Sequence, residues 1–356
     1  MEADHPAART ARGGLHGAAV RWLVPLVGTA VAISALFWLY RGLDVDAFIT
    51  ALERANPFWL VVLAATILLE QLLRGWKWRQ ILFDLKPISS LRLFGAILAG
   101  YGVAILVPLG ISPLVRAWLI ARLEDLRMAS VLVTTGIERF VDGIVFALIA
   151  GLVALAGQIP NVQGSLRFGL AFAGGLNLIL FAAALWGLFA ARRVLRNPQS
   201  RLGRAVDWLA ARGGGRLEGM RAAILAGIVW PHERWRQAGV VAASFGMKGI
   251  AATHFLWAGL AVGVRLTGFD YLFLMVFAGF ALVLARFVRV PGGFVIGSGF
   301  ALKILGAPDA QALAMITSNH VMTIVLMVGV GLVVLWRSGL SIRSARAAAG
   351  SLDVAP

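Results

Sequence analysis

The chain has 356 residues and is 60% hydrophobic, with a mean hydropathy of +0.83 and only 14% charged residues, against about 25% in an ordinary soluble domain. Its 33 basic and 17 acidic side chains leave a net charge of +16. No nucleic-acid reader motif accompanies that charge, anionic lipid and the positive-inside rule account for it, and the lack of cysteine excludes disulfides, thiolate metals and cysteine nucleophiles.

Residues 1–20 form a basic tail that the charge rule places in the cytoplasm. WLVPLVGTAVAISALFWLY (22–40) is too long for a signal-peptide core and ends in Phe37-Trp38-Leu39-Tyr40, with no small-residue cleavage site. It reads as a retained first span. The next segment sets Asp44, Asp46 and Glu53 against Arg41 and Arg54, and is expected outside. A second span starts at Pro57-Phe58-Trp59 and ends in RGWKWRQ. There Arg74, Lys77 and Arg79 are expected at the inner interface, with Trp76 and Trp78 in an aromatic belt. Glu70 and Arg74, at i,i+4, read as a structural pair.

Residues 106–127, LVPLGISPLVRAWLIARLEDLR, interrupt an apolar stretch with Pro108, Gly110 and Pro113, and then place Arg116. A full crossing by 91–107 would strand Arg116, Arg122 and Arg127 outside. The sequence therefore predicts a re-entrant hairpin over 91–122 that turns near Pro108–Pro113, where non-helical backbone must be covered by protein or line a watery cavity. Arg116 is a functional candidate, because an ionisable group within a membrane is costly. The other reading is a side chain that snorkels to the inner headgroups.

Spans over 129–157 and 168–191 follow. GIERFVDGI (136–144) sets Glu138, Arg139 and Asp142 close together. Glu138 and Asp142 share a helix face, and Arg139 is spaced to pair with Asp142. The trio is either an internally satisfied structural cluster or a charge relay. Residues 192–236 carry ten arginines against Asp207, Glu218 and Glu233. They read as a cytoplasmic connector of two amphipathic pieces, split by Gly213-Gly214-Gly215, that rests on headgroups. The alternative is a docking site for a partner protein.

A span over 237–263 leads to an apolar stretch, 270–308, broken again by VPGG (290–293) and GSG (297–299). It predicts a second re-entrant hairpin, 270–306, entering from the opposite side and turning at Pro291, Gly292 and Gly293. Arg286, Arg289 and Lys303 surround that break. With Arg116 they are the candidate lipid-headgroup ligands, since a broken helix also offers unpaired N–H groups and a positive dipole end to an anion. The last span, 309–336, returns inside, and the tail 337–356 is cytoplasmic. Lys248, His254, Asn319 and His320 are expected to be hydrogen-bonded within the bundle.

The expected fold is all-α: a single polytopic membrane domain over 21–336, with about six full spans and two Pro/Gly-broken hairpins in inverted arrangement. Interrupted segments in corresponding places of two halves point to a transport site. No Walker loop, HExxH or GxSxG elbow occurs, nor an aspartate-rich diphosphate motif. No segment is long enough for a nucleotide-using transferase. No catalytic residue, metal or cofactor is expected, and no enzymatic activity.

RGWKWRQIL (74–82), the P-x7-R-x2-L pattern from Pro108 to Leu119, ERFVDGI (138–144) and PGG (291–293) resemble the transmembrane region of lysylphosphatidylglycerol synthases and its stand-alone flippase-like relatives. The likeness covers about residues 20 to 336, and ERxxD after the Pro-Arg segment is its strongest part. It implies two re-entrant hairpins and lipid handling, and some relatives accompany hopanoid or glycolipid biosynthesis. Arg116, Glu138, Arg139 and Asp142 match the family pattern. The chain departs from it at Gly110, Ser112 and Pro113, where an Arg and a Gly-Glu pair are usual. It departs again at about Ser298, where a Glu is usual, and near Asn319-His320, where an Arg is. The expected function is a lipid translocase or transport facilitator in the bacterial inner membrane, with both termini cytoplasmic. Its partners are membrane lipids, not nucleic acid, and the alternative is a non-transporting scaffold for a lipid-biosynthetic enzyme.

Overall fold

The computed structural model describes residues 11–106, 112–156, 164–197, 200, 201, 204, 208, 215–287 and 290–337, with side chains from residue 26 onward except at 106, 215–217, 286 and 287. Backbone groups in hydrocarbon must be satisfied within their own segment. The described residues accordingly form helices and no strand. In chain order these are α1 (Ala11–Tyr40), α2 (Val45–Glu53), α3 (Pro57–Leu82), α4 (Ser90–Leu106), α5 (Ser112–Glu124), α6 (Met128–Leu155), α7 (Gly164–Arg196), α8 (Gly215–Gly227), α9 (Arg234–Val262), α10 (Gly268–Phe287), α11 (Gly293–Ile304) and α12 (Asp309–Arg337).

Local chemistry sets several of these ends. Asp44 accepts a hydrogen bond from the Ala47 N–H at 2.9 Å and caps α2, which turns 87° away from α1. The net-acidic segment that follows the first span is therefore mostly helical. Asn56 caps α3 through Phe58 N–H at 3.0 Å, with Pro57 in the first position, where its missing N–H costs nothing.

Five helices, α3, α7, α9, α10 (as far as Ala285) and α12, are long and apolar enough to cross a bilayer, and the bent α1–α2 pair makes a sixth. With 28 residues α6 also has the length, but every 18-residue window within it contains Glu138, Arg139 and Asp142. This is an all-α polytopic membrane protein.

Both expected interruptions are helical hairpins. A Cβ added at Gly100 of α4 would fall 2.9 Å from the Ser112 carbonyl and 3.3 Å from the Arg116 Cβ of α5, so the two limbs run antiparallel at close range. Cβ atoms at Gly293 and Gly297 of α11 would fall 2.2 Å from those of Ala285 and Ala281 on α10. The α10–α11 turn uses Gly292 at φ 72°, a conformation glycine adopts without strain. The two hairpins differ in reach. At 17 and 13 residues, α4 and α5 are both shorter than a span, whereas α10 is span-length and only α11, at 12 residues, is short. Pro108 and Gly110 lie outside the described residues.

The inverted arrangement follows from α3 and α9, which run antiparallel. Arg236 donates to the Gln80 Oε1 at 2.7 Å at one end, and Asn56 N–H donates to the Ala261 carbonyl at 2.8 Å at the other. The α4–α5 hairpin follows the end of α3 and the α10–α11 hairpin follows the end of α9, so they open at opposite ends of the bundle. Three apolar cores result among the described residues. One joins Leu63, Ile67, Val145, Phe273 and Ile316, a second joins Trp78, Leu93, Ile97, Leu119 and Val131, and a small third joins Ile81, Ile137, Val141 and Val240. Between Ile67 and Trp78 on α3, and between Val131 and Val145 on α6, lies a band of charge.

Candidate functional site

That band begins on α3, where Glu70, Arg74 and Lys77 fall at i, i+4 and i+7 and share one face. It meets Glu138 and Asp142, which share a face of α6. Lys77 Nζ lies 2.5 Å from Asp142 Oδ1 and 3.6 Å from Glu138 Oε1. Arg74 lies 2.8 Å from Glu70, 3.3 Å from Asp142 and 3.7 Å from Glu138. From α9, Ser244 Oγ sits 3.5 Å from Lys77 Nζ, and Lys248 is within electrostatic reach of Asp142.

Arg116 enters from α5, one turn after that helix begins at Ser112. Its guanidinium is 1% exposed and lies 2.7 Å from a Glu138 carboxylate that is fully buried. The pair touches as charges without hydrogen-bond alignment. Among the described residues no guanidinium nitrogen of Arg116 and neither carboxylate oxygen of Glu138 has a hydrogen-bond partner. Trp78 backs the guanidinium with its ring, 4.9 Å from the centroid, while its own N–H donates to Thr134 at 3.1 Å. From α4, the Tyr101 hydroxyl accepts from Arg139 at 3.3 Å.

The five cations Arg74, Lys77, Arg116, Arg139 and Lys248 thus face three carboxylates, Glu70, Glu138 and Asp142, in a largely buried place. Buried charges of this kind are ordinarily balanced. Eight residues separate Arg116 from the open end of its hairpin at Glu124, a depth of about 12 Å. At that end Lys86 reaches Glu124 at 3.2 Å and Arg92 also pairs with it. Burial raises the Glu124 carboxyl, but the bonds from Arg92 and Lys86 more than reverse this and hold it below the ordinary range.

Several expectations change. Arg139 does not pair with Asp142, because Lys77 and Arg74 from the neighbouring helix take that carboxylate. Arg74, Lys77 and Trp78 are buried inside the bundle instead of resting at the inner interface. Lys303 sits at the far end of α11 from Pro291 and Gly293. It is half-exposed, 3.9 Å from Asp309 and 5.6 Å from the Trp38 ring centroid, and shares no contact with Arg116. Arg289 and the Arg286 side chain lie outside the described residues. Pro113 is in the first turn of α5, and Pro291 and Gly292 form the turn before α11.

Of the expected lone polar residues, Asn319 accepts from Thr323 at 3.5 Å and His320 stacks on Phe294 at 5.3 Å. The His254 Nε2 is buried without a hydrogen-bond partner among the described residues. In the connector, α8 is fastened to α6. Ser130 donates to the Ala223 carbonyl at 2.7 Å and Arg127 to the Gly219 carbonyl at 2.9 Å.

Arg74, Lys77, Tyr101 and Lys248 also belong to this site, although their sequence positions do not by themselves group them. The available signal was spacing: a 70/74/77 face on one span matches a 138/142 face on another. A family model described as the lysylphosphatidylglycerol synthase TM region matches residues 26–331. No curated protein and no solved structure matches the chain.

Proposed function

Because this chain belongs to the lysylphosphatidylglycerol synthase transmembrane-region family, we propose that it is a lipid translocase or lipid-transport facilitator whose Arg116 cluster binds an anionic headgroup partway through the bilayer. The observation that carries this reading is the charge excess around a buried guanidinium that has no aligned hydrogen bond. A lone arginine at mid-membrane costs about 3 kcal/mol even on the lenient insertion scale. Glu138 offsets that cost in part, and a phosphate, which matches the guanidinium fork, offsets more of it.

The interrupted helix supports the same reading. The N-terminus of α5 lies within the bundle one turn from Arg116, so the positive end of its dipole adds to the attraction for an anion. In this reading the α4–α5 and α10–α11 hairpins enter from opposite leaflets and the acyl chains stay in lipid. The protein resides in the bacterial inner membrane with both termini cytoplasmic, and it performs no covalent chemistry. A scaffold role on 192–236 has less support, since the only helix described there between α7 and α9 has one face engaged by α6.

Reconstitution into liposomes with a fluorescent phosphatidylglycerol analogue, with leaflet exchange followed by a membrane-impermeant quencher, tests the reading. Arg116→Gln is expected to slow exchange about tenfold or more, as for loss of a charged contact worth about 1.5–3 kcal/mol. Equal rates for the variant and the wild type would falsify the headgroup role.

A further inference from the structure

This inference rests on the proposed headgroup site and concerns what lets a bound headgroup go. Among the described residues, the only carboxylate within 4.0 Å of Arg116 is Glu138, at 2.7 Å. The converse does not hold. Glu138 also has Lys77 at 3.6 Å and Arg74 at 3.7 Å, and those two cations are held in place by Asp142 and Glu70. Arg116 therefore depends on Glu138, whereas Glu138 keeps two cations if Arg116 is taken from it.

The geometry points to Glu138 as a displaceable counter-ion: a phosphate oxyanion takes over Arg116 while Glu138 stays with Lys77 and Arg74, and return of Glu138 to Arg116 expels the phosphate. The exchange needs no proton. With five cations facing three carboxylates, one incoming negative charge reduces an existing excess. It also needs little motion, because the carboxylate already lies within ion-pair range of its alternative partners. The absence of hydrogen-bond alignment between Arg116 and Glu138 fits a contact built to be exchanged, since aligned charge-assisted bonds are the strong ones. Trp78 holds the guanidinium carbon 4.9 Å from its ring centroid and takes none of its N–H groups as a hydrogen-bond acceptor.

Glu138 is then a positioning residue whose loss separates affinity from turnover. Purified protein in detergent is titrated with dioctanoyl phosphatidylglycerol, and leaflet exchange is measured in liposomes. Glu138→Gln is expected to bind the lipid about fivefold tighter or more and to exchange it more slowly. A purely structural role would weaken both. Glu138→Asp keeps the charge but draws the carboxylate back from Arg116, and its shift is smaller with the same sign. Should the glutamine variant fail to fold, the aspartate variant decides.

Wild-type or weaker binding in the Glu138 variants, together with loss of binding in Arg116→Gln, overturns the exchange and leaves the headgroup reading standing. Undiminished binding in Arg116→Gln overturns the headgroup reading itself. Inorganic phosphate is titrated as a competitor. Displacement of the lipid at comparable concentrations, with the same dependence on Glu138, assigns the site to free phosphate and overturns the lipid assignment.

Discussion

Asp142 receives Lys77 at 2.5 Å and Arg74 at 3.3 Å, and the excess of cations around it makes the two sides of this contact unequal. Removing the carboxylate leaves five cations against two and strands at least one of them. Asp142→Asn is therefore expected to destabilise by about 3–5 kcal/mol, the range for breaking a buried pair. Lys77→Met lowers the imbalance and leaves Asp142 with Arg74, so its cost is about 1–3 kcal/mol, that of a buried acceptor short of one donor. Thermal unfolding in detergent checks the order, and a larger loss in Lys77→Met than in Asp142→Asn contradicts the charge count. At this scale the sequence was legible in part. Glu138, Arg139, Asp142 and Arg116 stand out because ionisable residues are rare within apolar runs. Their partners do not, since i,i+3 spacing nominates Arg139 for Asp142 within one helix and carries no information about Lys77 on another.

Helix pairing brings glycines into two different roles. At Gly297 an added Cβ would fall 2.2 Å from the Ala281 Cβ, whereas at Gly151, also within a helix, nothing lies within 4 Å. Gly297→Ala is expected to cost about 1–3 kcal/mol through forced separation of α10 and α11, while Gly151→Ala stabilises by about 0.5–1 kcal/mol through helix propensity. Melting temperatures of the two variants should move in opposite directions. The α4–α5 hairpin is tied differently, by Glu124 to Arg92 and Lys86 at its open end. A carboxyl held below its ordinary range contributes stability above its unfolded value and loses it as pH falls through the folded one. The advantage of wild type over Glu124→Gln should be present near neutrality and vanish well below about pH 4.3. Its size is about 1 kcal/mol or less, because both cationic partners are about half-exposed. A melting-temperature profile in acid checks this. Proline and glycine made both breaks legible in the sequence, but the close approach of α11 to α10 was not. That approach depends on alanines eight and sixteen residues upstream, and no local pattern pairs them with Gly293 and Gly297.

Across the whole chain, hydropathy and the placement of arginines were enough to read the order of spans and the opposed hairpins. The same rule misplaced Arg74 and Lys77, because a count of basic residues does not distinguish a cation at the interface from one buried against carboxylates. The opposed hairpins also yield a direct topological expectation. Arg122 lies at the open end of α4–α5 and Lys303 near the open end of α10–α11, both exposed, and the antiparallel α3 and α9 put those ends on opposite faces of the bundle. The chain has no native cysteine, so a single introduced thiol reports on its own position. The positive-inside rule assigns the Arg122 end to the cytoplasm, because ten arginines cluster in 192–236 between the ends of α7 and α9 that share that face. In intact cells a membrane-impermeant maleimide should label Lys303→Cys and spare Arg122→Cys, and inside-out vesicles should reverse the pattern. Labelling of both thiols from one side contradicts the inverted arrangement, because two hairpins open to the same face cannot enter from opposite leaflets. A reversed pattern in cells would keep that arrangement and move the Arg116 site to the outer half of the bilayer.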